Sequence, residues 1–105
     1  MTIAFSITTD GKVAALPTTN TFDAIRQAVN GYVEPIVCSN VVLWCDEDGR
    51  MLGLPKNAVA TALWWHLQPQ AKGQILVGTV VVTGPNGDII GPVPANVAKM
   101  LEAWK

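Results

Sequence analysis

Acidic, thiol and basic side chains occur together in one central stretch, WCDEDGRMLGLPKN. In it Asp46, Glu47 and Asp48 stand directly before Gly49. A calcium loop of this type needs alternating ligands and a glutamate about six residues after the glycine, a position that is Pro55 here. Asp and Gly also tolerate the backbone of a tight turn. The spacing therefore predicts a turn with solvated acids, and no metal or cofactor is expected.

The thiols offer a second chemistry. Cys38 and Cys45 accompany His66, the one histidine of the chain. Zinc sites use paired spacings such as C-x2-C, which this sequence lacks. Free cysteine is usually a small buried hydrophobe, so a structural role is the simpler interpretation. An enzyme using either cysteine with His66 stays open as a third hypothesis, because a nucleophile and a base need not be adjacent in sequence.

Three charged residues are candidates for binding a ligand. Arg50 and Lys56 would be natural contacts for a small anionic ligand. Glu34, directly before Pro35, either caps backbone groups or lines a site. A pocket with an aromatic wall and a few backbone donors would suffice for such a ligand and requires no motif.

Tryptophan supplies the candidates for an interface. Trp64 and Trp65 are adjacent in a predicted helix, so their side chains point about 100° apart. One is expected in the core and the other at the helix edge. Since tryptophan is enriched at interface hot spots, Trp64, Trp65 and Trp104 are our interface candidates, with a broad buried face as the alternative.

Composition places these residues in one small domain, residues 1–105. Half of the 105 residues are hydrophobic and 14% are charged, against about 25% charged in an average soluble domain. We expect the apolar excess to form a binding surface or a homo-oligomer. The basic residues are scattered singly, so nucleic-acid binding is not expected. A membrane span or export signal is not expected either, which predicts a cytoplasmic protein with reduced thiols.

The turn signals predict a sheet built from hairpins. The first tip is Asp10-Gly11, the second is closed by Gly49, and the third contains Pro85-Asn86-Gly87. Alternation in residues 3–7 indicates a strand with one buried face.

Three helices are predicted between and after these hairpins. Asn20 and Asn57 are the N-cap candidates of the first two helices, and Pro94 lies in the first turn of the third. Gly31 is expected to end the first helix in a left-handed conformation, and Pro69 to end the second. The expected fold is α+β, a mostly antiparallel sheet with two or three helices packed on one face.

Four motifs give the chain a family resemblance. They are the G-Y-V-E at residues 31–34, the acid–Gly tip at residues 46–49, the L-P-x-N at residues 54–57 and the G-T at residues 78–79. In this order they resemble a small domain-of-unknown-function family, domain of unknown function 3846, that bacteriophages and actinobacterial phage-like elements encode. The resemblance covers residues 21–104 and leaves the first hairpin, residues 1–17, outside.

The resemblance implies a viral origin and action in the host cytoplasm, and it assigns no catalytic residue. Our leading hypothesis is a non-enzymatic phage accessory protein that binds a host bacterial protein or itself. The alternative is a protein that binds or sequesters a small anionic ligand such as a nucleotide signal.

Overall fold

A computed structural model describes residues 4–16, 21–85 and 90–105. In these ranges the chain forms five strands, three α-helices and one 3₁₀ turn at Pro69–Ala71. The α+β prediction is confirmed. In chain order the elements are β1 (Phe5–Ile7), β2 (Val13–Ala15), α1 (Thr21–Val29), β3 (Val33–Cys38), β4 (Val41–Asp46), α2 (Ala58–Leu67), β5 (Val80–Thr83) and α3 (Ala95–Trp104).

The five strands make one antiparallel sheet in the order β2-β1-β5-β4-β3. The hairpin predicted at Asp10-Gly11 is confirmed, with Gly11 at a φ of 85° between β1 and β2. The last strand, β5, lies at the centre, paired with β1 on one side and β4 on the other. The tip at Asn86-Gly87 lies outside the described residues.

The predicted hairpin at Gly49 is wrong. Strand β4 pairs with β3, the strand before it, and with β5. The tight turn lies at Ser39-Asn40, where Ser39 adopts a φ of 60°. After β4 the backbone forms successive turns closed by local hydrogen bonds. Gly49 N donates to Asp46 O (3.1 Å), and Leu54 N donates to Gly49 O (3.0 Å). The chain therefore has no returning strand there.

Both faces of the sheet are covered. Helices α2 and α3 pack on one face, where their Leu63 and Leu101 join Phe5 and Leu43 in the larger core. Helix α1 packs on the other face, where Ile25 and Val29 meet Val42, Trp44 and Val81. The expected arrangement of two helices on one face thus holds for α2 and α3, with α1 opposite. Apolar residues at successive positions of β4 and β5 require cover on both sides.

The helix ends follow local chemistry. Asn57 is the N-cap of α2, and its Oδ1 accepts a hydrogen bond from Ala60 N (3.0 Å). Helix α2 ends at Leu67, shortly before Pro69. The left-handed residue after α1 is Asn30 (φ 62°), so the role predicted for Gly31 is wrong. Gly31 instead leaves room for Asp46, since a Cβ there would lie 2.6 Å from Asp46 Oδ2 unless that side chain moved. Asn20 lies outside the described residues.

Candidate functional site

A cleft of about 390 Å³ opens at the end of the sheet where β3 begins and β4 ends. The segment that leads from the 3₁₀ turn to β5 forms the opposite wall. The cleft is lined by Glu34, Ile36, Cys45, Asp46, Glu47, Arg50, Trp64, Gln74, Ile75, Leu76 and Val77. The pairing of β3 with β4 brings residues distant in sequence together here, because Glu34 is the cross-strand partner of Cys45.

Negative charge dominates this cleft. Carboxylates of Glu34, Asp46 and Glu47 line it, against the single guanidinium of Arg50. Arg50 Nη2 donates to Ile75 O at 2.9 Å, which fixes the cation against one wall. The balance of charge favours a cationic group in the cleft.

Two of the three ligand candidates are brought together here. Glu34 and Arg50 both line the cleft, whereas Lys56 lies outside its lining. Lys56 is exposed and forms an antiparallel bridge with Val77. Arg50 and Lys56 thus do not line this cleft together, and Arg50 shares it with three carboxylates.

The thiols are buried and protonated at neutral pH. Burial, aided by the carboxylates of Glu34 and Asp46 and opposed by Arg50, raises the pKa of Cys45 to about 11. Burial also raises the pKa of the Cys38 thiol. His66 is exposed on α2 and does not line the cleft that contains Cys45. A thiolate nucleophile is disfavoured, since the thiolate is the reactive form.

The acid-rich tip is a turn, as predicted. Asp46 Oδ1 accepts a hydrogen bond from Asp48 N (2.8 Å), which closes the turn locally. Within the described residues, no three His, Cys, Asp or Glu side chains converge as metal ligands would.

The tryptophan pair divides as expected between core and edge. Trp64 is 7% exposed and donates through Nε1 to Gln68 Oε1 (2.9 Å). Its burial in the core does not support a role as an interface residue. Trp65 is half-buried and donates through Nε1 to Gln74 O (2.8 Å). Trp104 is 39% exposed beside a shallow apolar groove lined by Gly11, Ala58, Val59 and Ala62.

Two large apolar side chains with high exposure lie on the loop after β4, residues 47–54. Met51 is 86% exposed and Leu52 is 64% exposed. Tyr32 is also exposed, and its carbonyl accepts a hydrogen bond from Glu47 N (2.8 Å) at the start of this loop. Our sequence analysis did not single out Met51 and Leu52, because it assigned them to the returning strand of a hairpin.

The outer edge of β3 is closed to another strand. Glu47 N donates to Tyr32 O. In an antiparallel pair every second residue directs its backbone N–H and C=O towards the partner strand, so those of Val33, Pro35 and Val37 point away from β4. Proline has no N–H, so the middle of this edge lacks a donor and carries a ring. A partner is therefore expected to contact side chains rather than extend the sheet.

The four sequence motifs meet around the loop. Gly78 N donates to Pro55 O (2.8 Å), and Asn57 Nδ2 donates to Gly78 O (2.9 Å). Gly78 has a φ of 73°, and a Cβ there would lie 2.8 Å from Leu54 Cδ1, so glycine is favoured at this position. The motifs thus fix how the 47–54 loop and α2 join the sheet.

The family model Domain of unknown function (DUF3846) matches residues 2–105. The chain belongs to the DUF3846 family. The match includes β1 and β2, which the motif comparison left outside the resemblance. No curated protein matches the chain, and no solved structure matches it. In the described part of this DUF3846 protein, no helix has the length and apolarity needed to cross a bilayer.

Proposed function

We propose that this DUF3846 protein is a non-enzymatic binding protein that acts through protein–protein interaction. The observation that carries the proposal is the exposure of Met51 and Leu52 on the loop beside the acidic cleft. Large apolar side chains rimmed by charged residues are typical of interaction sites. The partner is a host bacterial protein or a second copy of the chain, and the phage origin implied by the resemblance is part of this proposal.

The buried thiols support a non-enzymatic role over the thiol-dependent one. Cys45, the cysteine that lines the cleft, has its pKa raised to about 11. A protonated thiol beside two carboxylates is a poor nucleophile at neutral pH.

Light scattering after size-exclusion chromatography, combined with calorimetry, tests the proposal. The purified chain is measured over a range of concentrations, and proteins captured from a bacterial lysate are identified, purified and titrated back. We expect either concentration-dependent self-association or saturable binding of one purified partner. A chain that stays monomeric and binds no purified candidate would contradict the proposal.

A small ligand in the cleft is the second candidate function. The cleft has the size of a small-molecule site and one aromatic wall at Trp64. Its carboxylates favour a cationic amine or guanidinium over the anionic nucleotide considered from the sequence. Tryptophan fluorescence, compared between wild type and Trp64→Phe, during titration with spermidine, agmatine and a nucleotide panel separates these classes. Binding of the amines that is lost in Glu34→Gln supports the cleft, and binding of nucleotides alone contradicts the charge argument.

A further inference from the structure

The 47–54 loop presents two neighbouring apolar side chains to solvent from a segment that also carries Glu47, Asp48 and Arg50. Met51 and Leu52 are 86% and 64% exposed, and they follow Arg50. Exposure of both side chains leaves apolar surface in contact with water, at a cost of about 25 cal/mol per Å². Covering these two side chains would therefore favour association.

Hydrogen bonds hold this loop in one conformation. Leu52 N donates to Asp48 O (2.9 Å), Gly53 N to Arg50 O (3.1 Å) and Leu54 N to Gly49 O (3.0 Å). The Arg50 guanidinium anchors the loop to Ile75 O across the cleft. Gly53 has a φ of 70°, which allows the chain to reverse directly after Leu52. A loop fixed in this way loses little conformational entropy when a partner binds.

The charges around Met51 and Leu52 define the partner. Glu47 on the loop and Glu34 on β3 are exposed, and Asp46 and Asp48 are partly exposed beside them. Arg50 is the one basic residue in the loop, and every other charged residue in 46–54 is acidic. Exposed Lys56 follows the loop, but the carboxylates outnumber the cations, so electrostatic complementarity favours basic side chains at the rim of the partner's contact surface.

We infer that Met51 and Leu52 insert into an apolar socket rimmed by lysine or arginine on a partner protein. This inference rests on the proposed function and names the contact element and the chemistry of the partner. The socket covers the apolar pair, and its basic rim meets the carboxylates of Glu34 and Glu47.

A random peptide library displayed on phage and selected against the full chain provides a defined probe. Enriched peptides are synthesised and their Kd values measured by calorimetry for wild type, Met51→Ser, Leu52→Ser and Val37→Ser. Val37 is a matched control, because it is an exposed apolar residue on β3. Circular dichroism melting shows that each variant is folded.

We expect enriched peptides that combine lysine or arginine with large apolar residues. Their Kd should rise about tenfold in Met51→Ser and in Leu52→Ser, as for truncation of an interface hot spot, and stay unchanged in Val37→Ser. Raising the salt concentration should also weaken binding, because exposed charges are screened.

Peptides that bind Met51→Ser and Leu52→Ser as tightly as wild type would overturn the inference and leave the proposed function standing. Selection without any peptide that prefers wild type over the two variants would overturn it as well. A third outcome is that no basic peptide is enriched and that wild type self-associates but the two variants do not. This outcome would identify a second copy of the chain as the partner and would overturn the inferred basic chemistry.

Discussion

Asn57 is the polar residue on which the position of α2 depends. Its side chain is fully buried, and Nδ2 donates to Ile7 O (2.8 Å) and Gly78 O (2.9 Å) while Oδ1 accepts from Ala60 N. One amide thus joins β1, the start of α2 and the segment before β5. A buried amide with all its partners fixes geometry, because each alternative arrangement leaves a buried group without a hydrogen bond.

Replacing Asn57 with alanine should lower the free energy of unfolding by about 3 kcal/mol. The loss combines a helix cap, worth about 1 kcal/mol, with two buried carbonyls that lose their donor, each costing about 1–3 kcal/mol when no water replaces it. Urea unfolding followed by tryptophan fluorescence measures the change. Asn96→Ala, an exposed position on α3, is the control and should change stability by less than about 0.5 kcal/mol. A loss below about 1 kcal/mol for Asn57→Ala would contradict this account.

The thiol of Cys45 makes stability depend on pH in the alkaline range. Its pKa rises from 9.0 to about 11 in the folded state, so the folded chain holds this proton more tightly than the unfolded chain. The resulting contribution to stability is complete below pH 9 and is lost as the pH rises towards 11.

Thermal melts between pH 8 and about 11 test this linkage. Wild type should lose more stability over that range than Cys45→Ala, because the two proteins share every titratable group except this thiol. The difference between the two Tm profiles isolates the thiol. Parallel profiles would show that the folded and unfolded states bind this proton equally.

Among the elements, β3 illustrates how an exposed strand avoids pairing. Its outward backbone groups belong to Val33, Pro35 and Val37, and the central proline supplies no donor. Edge strands with a proline are protected against strand addition and aggregation. The sheet therefore ends at β3 although the strand has six residues.

Pro35→Val should open this edge. Valine restores an N–H that points away from β4 and removes the ring that obstructs a second strand. We expect light scattering to show a larger mass that grows with protein concentration, beyond any self-association of wild type. Pro92→Val, at an exposed proline outside the strands, should behave as wild type. An unchanged mass for Pro35→Val would mean that another feature protects the edge.

Some local signals in the sequence predicted the elements that they govern, whereas those at Gly31 and Gly49 did not. Asp10-Gly11 and Asn57 were assigned correctly, because a turn that needs a positive φ and a helix cap are both decided within a few residues. The turn at Ser39-Asn40 was missed, since serine is unusual at a φ of 60°. The central position of β5 also escaped prediction, because pairing between distant segments leaves no local pattern.

The candidate site shows the same difference between local signals and contacts made by distant segments. Glu34 and Arg50 were both candidates for contacting a ligand, but their meeting in one cleft depends on the register of β3 and β4. Met51 and Leu52 were not predicted as exposed, because Gly49 was interpreted as the turn of a hairpin. Their exposure follows from turns that end the ladder after Asp46.

For the whole molecule, charge and apolar exposure coincide at one end. The chain has a net charge of −1, yet Glu34, Asp46 and Glu47 line one cleft with the single guanidinium of Arg50, and Asp48 follows on the same loop. An uneven distribution of this kind attracts oppositely charged surfaces and accelerates encounter. The central claim is therefore that binding occurs at this acidic end, through the 47–54 loop.

Hydrogen exchange measured by mass spectrometry, with and without the tightest selected peptide, tests this claim most directly. We predict slower exchange in fragments that cover residues 47–54, because the bound peptide excludes water from those amides. Fragments covering α3 should exchange at the same rate in both samples. Protection confined to the groove beside Trp104, or to β3 alone, would contradict the claim and place the binding surface elsewhere.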